Sequence, residues 1–147
     1  APAEELMRTD FAPFRALNDL PMGMTAHIVV PAYDADAPST QSARMLRVIR
    51  QEIGFGGLLI SDDLNMQALR GTLGERTAAA LAAGCDVALH CKGDMAEMVE
   101  VAAAARPLDA SGKARAEAAL ACRRPPGPID ANALIAELDS LIRPAGA

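Results

Sequence analysis

The sequence contains no tryptophan, and aromatic residues make up only 3% of it. A hydrophobic core must therefore come from the aliphatic side chains, which dominate the 51% of residues that are hydrophobic. With 147 residues, the chain has the length of one domain and can bury roughly two thirds of the surface that its unfolded form exposes. The composition is that of a globular protein.

Clustered positive charge is also missing. The formal net charge is -5, and no predicted helix carries a basic stripe. We therefore expect neither nucleic acid nor an anionic membrane surface as a partner, because both require such clusters. The apolar stretches are interrupted well short of the ~20 residues of a membrane span. The acidic start APAEELMRTD lacks the features of a secretory signal.

Several common motifs are absent as well. There is no CxxC pair among the three cysteines, Cys85, Cys91 and Cys122. This pattern is typical of proteins in a reducing compartment and argues against a disulfide framework and a zinc site. No GxGxxG, Walker or GxSxG motif occurs, which argues against nucleotide binding and serine-hydrolase chemistry. We expect a protein without metal or cofactor.

What is present is an alternation of strand and helix patterns. Continuous apolar runs at 24–30, 58–60 and 85–91 predict three buried strands. Such runs are typical of parallel strands covered on both faces. The predicted remainder comprises a helix capped by Asp10, a loop at 31–40, a helix capped by Ser39 or Thr40 and ending at Gly54, and helices at 64–69, 75–83, 94–105, 111–122 and after Asp130.

This order predicts an α/β fold with parallel strands. A doubly wound open sheet and a (β/α)8 barrel both remain possible, and three strands complete neither, since a barrel typically needs ~250 residues. The range 1–147 is therefore expected to be a single incomplete domain, with C-terminal helices over 111–143, or a small and unusual α/β domain.

The second predicted strand ends in Ser61-Asp62-Asp63, at the carboxyl edge where parallel α/β folds place their sites. An ionised aspartate there can attack the anomeric carbon of a sugar and form a covalent intermediate. Neighbouring residues of a strand point in opposite directions, so only one aspartate should face a pocket. The spacing alone is equally compatible with helix caps, and a metal site lacks a third acidic ligand.

Two histidines are further candidates. His27 lies late in the first predicted strand and His90 late in the third, so either could line the same edge. A single histidine in an apolar strand is more often a hydrogen-bonded wall residue than a catalyst.

Four segments resemble the β-N-acetylglucosaminidases of glycoside hydrolase family 3. GFGGLLISDDLNMQAL (54–69) is similar to the nucleophile segment of that family, in which a Gly-Phe-x-Gly turn, an apolar strand and Ser/Thr-Asp precede Leu-(Ser/Asn)-Met. TDFAPFRAL (9–17), LPMGMTAH (20–27) and ERTAAALAAGCDVALHC (75–91) follow the family's order.

The resemblance implies the C-terminal portion of a TIM barrel with its last βα units. It implies a retaining hydrolase that removes terminal β-N-acetylglucosamine from muropeptides during cytoplasmic cell-wall recycling, without a cofactor. It assigns Asp62 as the nucleophile, Asp63 as a supporting neighbour and His27 as a substrate-binding residue of the pocket wall.

One departure concerns the acid/base histidine, which the family carries on a Lys-His-x-Pro-Gly-His-Gly loop. That motif does not occur in the 147 residues, so the chain holds the nucleophile half of a site and is expected to be inactive alone. The alternatives are a non-catalytic barrel fragment, an α/β binding module, or another family 3 enzyme such as a β-glucosidase. The glucosidases usually have Trp where this sequence has Asp63.

Overall fold

The computed structural model describes residues 1–142, so residues 143–147, including the last position of the predicted helical region 111–143, lie outside the described residues. The helices are α1 (Ala3–Arg8), α2 (Ala12–Ala16), α3 (Ala43–Arg47), α4 (Leu73–Ala83), α5 (Met95–Ala104), α6 (Ala110–Ala121) and α7 (Ala131–Ile142). The strands are β1 (Met22–Met24), β2 (Val29–Val30), β3 (Asp34–Pro38), β4 (Leu58–Asp63) and β5 (Val87–Leu89). A 3-10 turn (Ser39–Gln41) precedes α3, and a π-helical turn (Val48–Glu52) continues it.

A parallel sheet with the strand order β1-β4-β5 lies at the centre of the fold. Ile60 in β4 pairs with Met24 in β1 on one side and with Val87 in β5 on the other. The predicted α/β class with parallel strands is therefore confirmed. Within residues 1–142, the outer edges of β1 and β5 have no partner strand, so this part of the chain does not close into a barrel.

The hydrophobic core lies between the sheet and the helices α3 and α4. Leu59 of β4, Leu46 of α3 and Ala80 of α4 are each at most 2% exposed and pack in one cluster, which also includes Leu64 and Phe55. The core is mainly aliphatic, as the low aromatic content requires. Burial of these side chains supplies the main driving force that holds the helices against β4.

A buried carboxylate joins β5 to β4 and to two helical segments. Asp86 accepts hydrogen bonds from the backbone N–H of Leu59 (2.9 Å), from Arg50 Nη2 (2.7 Å) and from Arg115 Nε (3.0 Å) and Nη2 (2.5 Å). Its side chain is only 6% exposed. A charge this deeply buried is unfavourable unless it is paired and hydrogen-bonded, so the four bonds are what allow Asp86 to stay ionised there.

The first predicted strand, 24–30, is wrong in its bounds. β1 ends at Met24, and Val29–Val30 pair antiparallel with β3, inside the segment expected to be a loop. Thr25 still donates its N–H to the carbonyl oxygen of Ile60 in β4. The chain then leaves the sheet, where the side chains of Thr25 and His27 both bond to the hydroxyl of Thr40. His27 therefore lies beyond β1 and not within a strand.

Two predicted helix caps are also wrong. Asp10 does not cap α2, because its carboxylate accepts the hydroxyl of Thr9. The cap of α3 is Ser42, whose hydroxyl accepts the N–H three residues later at 3.1 Å, while Ser39 and Thr40 begin the preceding 3-10 turn. The bond of Asp10 is local and competes with capping. The hydroxyls of Ser39 and Thr40 instead bond to distant residues, Ile28 for Ser39 and Thr25 and His27 for Thr40.

The predicted helix at 64–69 is a series of turns. Arg76 Nη1 donates to the carbonyl oxygens of Leu64 (2.9 Å) and Met66 (3.2 Å), so those carbonyls are occupied by a side chain from α4. The later helices are confirmed, each within one or two residues of its predicted start. α4 begins with a capping box of Thr72 and Glu75, and Asp94, Asp109 and Asp130 accept backbone N–H groups where α5, α6 and α7 begin.

Gly57, directly before β4, lies against the chain that enters β1. A Cβ on Gly57 would overlap the carbonyl oxygen of Leu20 and lie 2.8 Å from that of Pro21. The neighbouring Gly56 has no atom within 4 Å of the same position. Only the first of these two glycines is therefore required by close packing.

We expect Gly57→Ala to lower the free energy of unfolding by about 1–3 kcal/mol, because the added methyl group must push backbone apart. The matched control, Gly56→Ala, should stay within about 0.5 kcal/mol of the wild type. Urea unfolding followed by circular dichroism measures both. Equal stability of the two variants would contradict the close approach of 20–21 to Gly57.

The Asp86 cluster makes stability depend on pH. Burial alone would raise the pKa of Asp86, but the hydrogen bonds from Arg115 and Leu59 and the charges of Arg115 and Arg50 outweigh burial and hold that pKa below its ordinary value. A lowered pKa in the folded state means that the stabilisation is complete above the unfolded pKa of about 3.9 and disappears as the pH falls through the folded pKa.

We expect Asp86→Asn to lower the free energy of unfolding by about 3 kcal/mol at neutral pH, because two arginines lose their partner. The variant should also lose stability less steeply than the wild type below about pH 4. Urea unfolding as a function of pH measures both effects, with Asp139→Asn on exposed α7 as the control. A variant with wild-type stability and an unchanged acid slope would refute the role of Asp86.

Candidate functional site

Ser61, Asp62 and Asp63 are the last three residues of β4 and lie at the carboxyl edge of the sheet. Ser61 is fully buried, and its hydroxyl oxygen accepts the backbone N–H of Leu89 at 2.9 Å. This bond ties β4 to β5. The alternative in which Ser61 and Asp62 serve only as helix caps is excluded, because turns and not a helix follow β4.

The pairing of β4 with β5 is irregular where the candidate residues lie. Ile60 pairs with Val87 and Asp63 pairs with Leu89, so β4 contains one more residue than β5 between these two pairs. An extra residue of this kind bends a strand and changes the direction of side chains, and it is common beside active sites. Asp62 is one of the two residues inside the irregular stretch.

Asp63 holds the backbone around the site. Its Oδ1 accepts the N–H of Asn65 at 3.1 Å and that of Cys91 at 3.2 Å. The carboxylate thereby connects the turn after β4 to the chain leaving β5. These contacts give Asp63 a structural role. The family resemblance predicts a supporting neighbour at this position.

Asp62 is bound differently. Its Oδ1 accepts the N–H of Asp63 at 2.8 Å, and within residues 1–142 no other hydrogen bond reaches this carboxylate. The side chain is partly exposed. One oxygen is therefore oriented by the protein, and the second can contact a ligand.

His27 reaches the end of β4 from the segment that follows β1. Its Nε2 lies 2.9 Å from the carbonyl oxygen of Asp63, and its Nδ1 lies 2.8 Å from the hydroxyl of Thr40, which lies 2.8 Å from the hydroxyl of Thr25. The structure thus brings His27 to the predicted edge with both ring nitrogens bonded to protein. The substrate contact predicted for His27 stays a prediction.

His90 lies against α5. Its side chain is 5% exposed, and its Nε2 is 3.3 Å from Oε2 of Glu97. Glu97 also accepts hydrogen bonds from Asn65 Nδ2 (2.6 Å) and Lys92 Nζ (2.5 Å), and so connects the chain segments after β4 and β5 to α5. Within residues 1–142, neither buried ring nitrogen of His90 makes a hydrogen bond, so the ring packs beside α5 with only the approach to Glu97.

The sequence did not reveal the roles of two residues of this site. Thr40 was predicted as a helix cap, but its side chain bonds to His27. No motif distinguishes Glu97 from other surface glutamates. Their contacts join positions 13 to 32 residues apart. Spacing along the chain therefore could not reveal either residue.

Residues 1–142 contain no group of three or more His, Cys, Asp or Glu side chains placed to hold a metal ion. No helix in that range is long and apolar enough to cross a membrane. All three cysteines are free thiols. Burial raises the pKa of the Cys85 thiol to about 11, so this side chain behaves as a small hydrophobic residue at neutral pH.

Comparison with known proteins gives relatives along most of the chain. A β-hexosaminidase of Bordetella pertussis (strain Tohama I) is 35% identical over 100 residues, which cover 65% of this chain and 28% of that protein. A β-hexosaminidase of Vibrio cholerae serotype O1 is 44% identical over 92 residues, which cover 59% of this chain and 28% of that protein. The chain thus spans less than a third of the length of these curated relatives.

The solved structure of NagZ from Neisseria gonorrhoeae in complex with N-trifluoroacetyl-D-glucosamine is similar with a TM-score of 0.66 at 28% identity, and the match covers 94% of this chain and 39% of that one. The predicted portion of a TIM-barrel-like fold is thereby confirmed. Residues 1–121 match the profile of the glycosyl hydrolase family 3 N-terminal domain. Because this match extends over most of the 147 residues, the chain belongs to glycoside hydrolase family 3.

Proposed function

We propose that the protein containing this chain hydrolyses terminal β-N-acetylglucosaminides, with Asp62 as the nucleophile. The observation that carries the proposal is the carboxylate of Asp62 at the carboxyl end of β4, with one oxygen held by a backbone N–H and the other without a protein donor among residues 1–142. The relatives named β-hexosaminidase support this reaction class. The bound N-trifluoroacetyl-D-glucosamine in NagZ supports the sugar.

The proposed reaction has two displacements. In the first, the free oxygen of Asp62 attacks C1 of the sugar, the bond from C1 to the leaving oxygen breaks, and that oxygen takes a proton from a general acid. In the second, the deprotonated group removes a proton from water, which attacks C1 and breaks the ester to Asp62. Two inversions leave the configuration at C1 unchanged.

We propose that the general acid is a residue that does not belong to these 147 residues. Both ring nitrogens of His27 have protein partners, and the ring of His90 is buried beside Glu97. The family resemblance assigns the acid to a histidine on a Lys-His-x-Pro-Gly-His-Gly loop, which the 147 residues do not contain. We therefore propose that the isolated chain does not turn over substrate, and that His27 contributes ring carbons to the pocket wall.

The resemblance extends the proposal to muropeptides as substrates and to the cytoplasm as the location. The free thiols of Cys85, Cys91 and Cys122 support a reducing compartment. No partner beyond the small carbohydrate enters the proposal.

A non-catalytic fragment or binding module is the second candidate. Met22 and Met24 on β1 are 48% and 57% exposed, and one edge of the strand has no partner strand within residues 1–142. Exposed apolar edges favour association with another chain. This second function would be supported if the chain bound a partner through β1 and the complete gene product had no hydrolytic activity.

We expect Asp62→Asn in the complete gene product to reduce kcat on an aryl β-N-acetylglucosaminide by about 10⁴-fold, because an amide cannot form the covalent intermediate. Asp36→Asn, on the exposed part of β3, should leave kcat unchanged. Release of the aryl group, followed by absorbance, measures both. Wild-type turnover by the Asp62 variant would remove Asp62 from the mechanism.

A further inference from the structure

The nucleophile strand loses its regular neighbours before it reaches Asp62. On one side, the last backbone bond from the β1 segment is that of Thr25 N–H to the carbonyl of Ile60 at 2.9 Å. On the other side, the pairing with β5 shifts between Ile60 and Asp63. The regular ladder is therefore interrupted at Asp62 itself, and on the β5 side it resumes with the pair Asp63 and Leu89.

On the side of β1, where backbone pairing with β4 ends at Ile60, the side chain of His27 supplies a hydrogen bond to β4 instead. Its Nε2 lies 2.9 Å from the carbonyl oxygen of Asp63, the residue that follows Asp62. A carbonyl oxygen can only accept a hydrogen bond, so Nε2 carries the hydrogen. The imidazole thus bridges the gap that opens where the chain turns away after β1.

Buried hydroxyl groups set the state of the imidazole from its other side. With the hydrogen on Nε2, the Nδ1 of a neutral ring accepts, so the Thr40 hydroxyl donates to it and in turn accepts from the Thr25 hydroxyl. Thr40 is 0% and Thr25 is 5% exposed, so water does not compete for these bonds. The chain of three side chains orients His27 and ends at the Asp63 carbonyl.

We propose that His27 is a positioning residue that holds the backbone of Asp62 and Asp63 for the attack on the sugar, and that the pair Thr25 and Thr40 fixes its tautomer. The proposal rests on the proposed function, since it gives His27 a task in the reaction of Asp62. It differs from a polar contact with the substrate, because both ring nitrogens are used by the protein.

The first test compares His27→Phe and His27→Gln in the complete gene product with an aryl β-N-acetylglucosaminide. Phe keeps the ring shape without a donor, and kcat should fall about 10- to 100-fold, as a displaced reacting group requires, with KM within about threefold of the wild type. Gln can still donate to the Asp63 carbonyl and should restore kcat to within about threefold of the wild type. An unchanged kcat for His27→Phe, or a loss in KM alone, would overturn the proposal.

The second test does not depend on activity. The ¹⁵N resonances of the imidazole, measured on the complete gene product at about pH 8 and assigned by their loss in His27→Gln, report which nitrogen carries the hydrogen. The expected result is the Nε2–H tautomer, and Thr40→Val should weaken this preference.

The two tests distinguish a failure of the proposed function from a failure of the positioning role of His27. A gene product with no activity on the aryl substrate would refute the proposed function, and with it the reaction that His27 is proposed to serve. An active enzyme whose His27 has the Nδ1–H tautomer would refute the positioning role alone and leave the function of Asp62 in place.

Discussion

The carboxylate of Asp86 is the interaction on which the rest of the structure depends. It receives hydrogen bonds from β4, from the π-helical turn after α3 and from α6, and it lies where the chain enters β5. These bonds set how β4 lies against β5 at the amino end of the sheet. The apolar cluster around Leu59 packs helices α3 and α4 against the same strand, β4, which carries Asp62.

At the opposite end of β4, side-chain bonds add to a backbone ladder that is interrupted at Asp62 and resumes at Asp63. Ser61 accepts the N–H of Leu89, Asp63 accepts the N–H groups of Asn65 and Cys91, and His27 bonds to the Asp63 carbonyl. Regular pairing at the amino end and side-chain bonding at the carboxyl end leave one carboxylate oxygen of Asp62 without a donor among residues 1–142. This arrangement suits the proposed role of Asp62, because an oxygen without a protein donor keeps its lone pairs available for attack on C1.

Local patterns predicted the parts of the fold that local forces determine. The apolar run of β4, the helices α4 to α6 and the cap Asp130 follow from neighbouring residues. The break after β1 could not be predicted, because it depends on bonds from His27 to Thr40 and Asp63 across 13 and 36 residues. The extra residue in β4 could not be predicted from the sequence either, because no residue pattern indicates it. The family resemblance predicts Asp62 as the nucleophile, whereas the oxygen of Asp62 that has no donor among residues 1–142 is visible only in the structure.

The central claim is that Asp62 becomes bonded to the sugar. The most direct measurement uses the complete gene product and an N-acetylglucosaminide with fluorine at C5 and a good leaving group, which slows the second displacement and lets the intermediate accumulate. Tryptic digestion releases residues 51–70, which contain both Asp62 and Asp63, and fragmentation in a mass spectrometer locates the added sugar. The expected result is the sugar on Asp62. A sugar on Asp63 or on another peptide, or turnover with no labelled peptide, would contradict it.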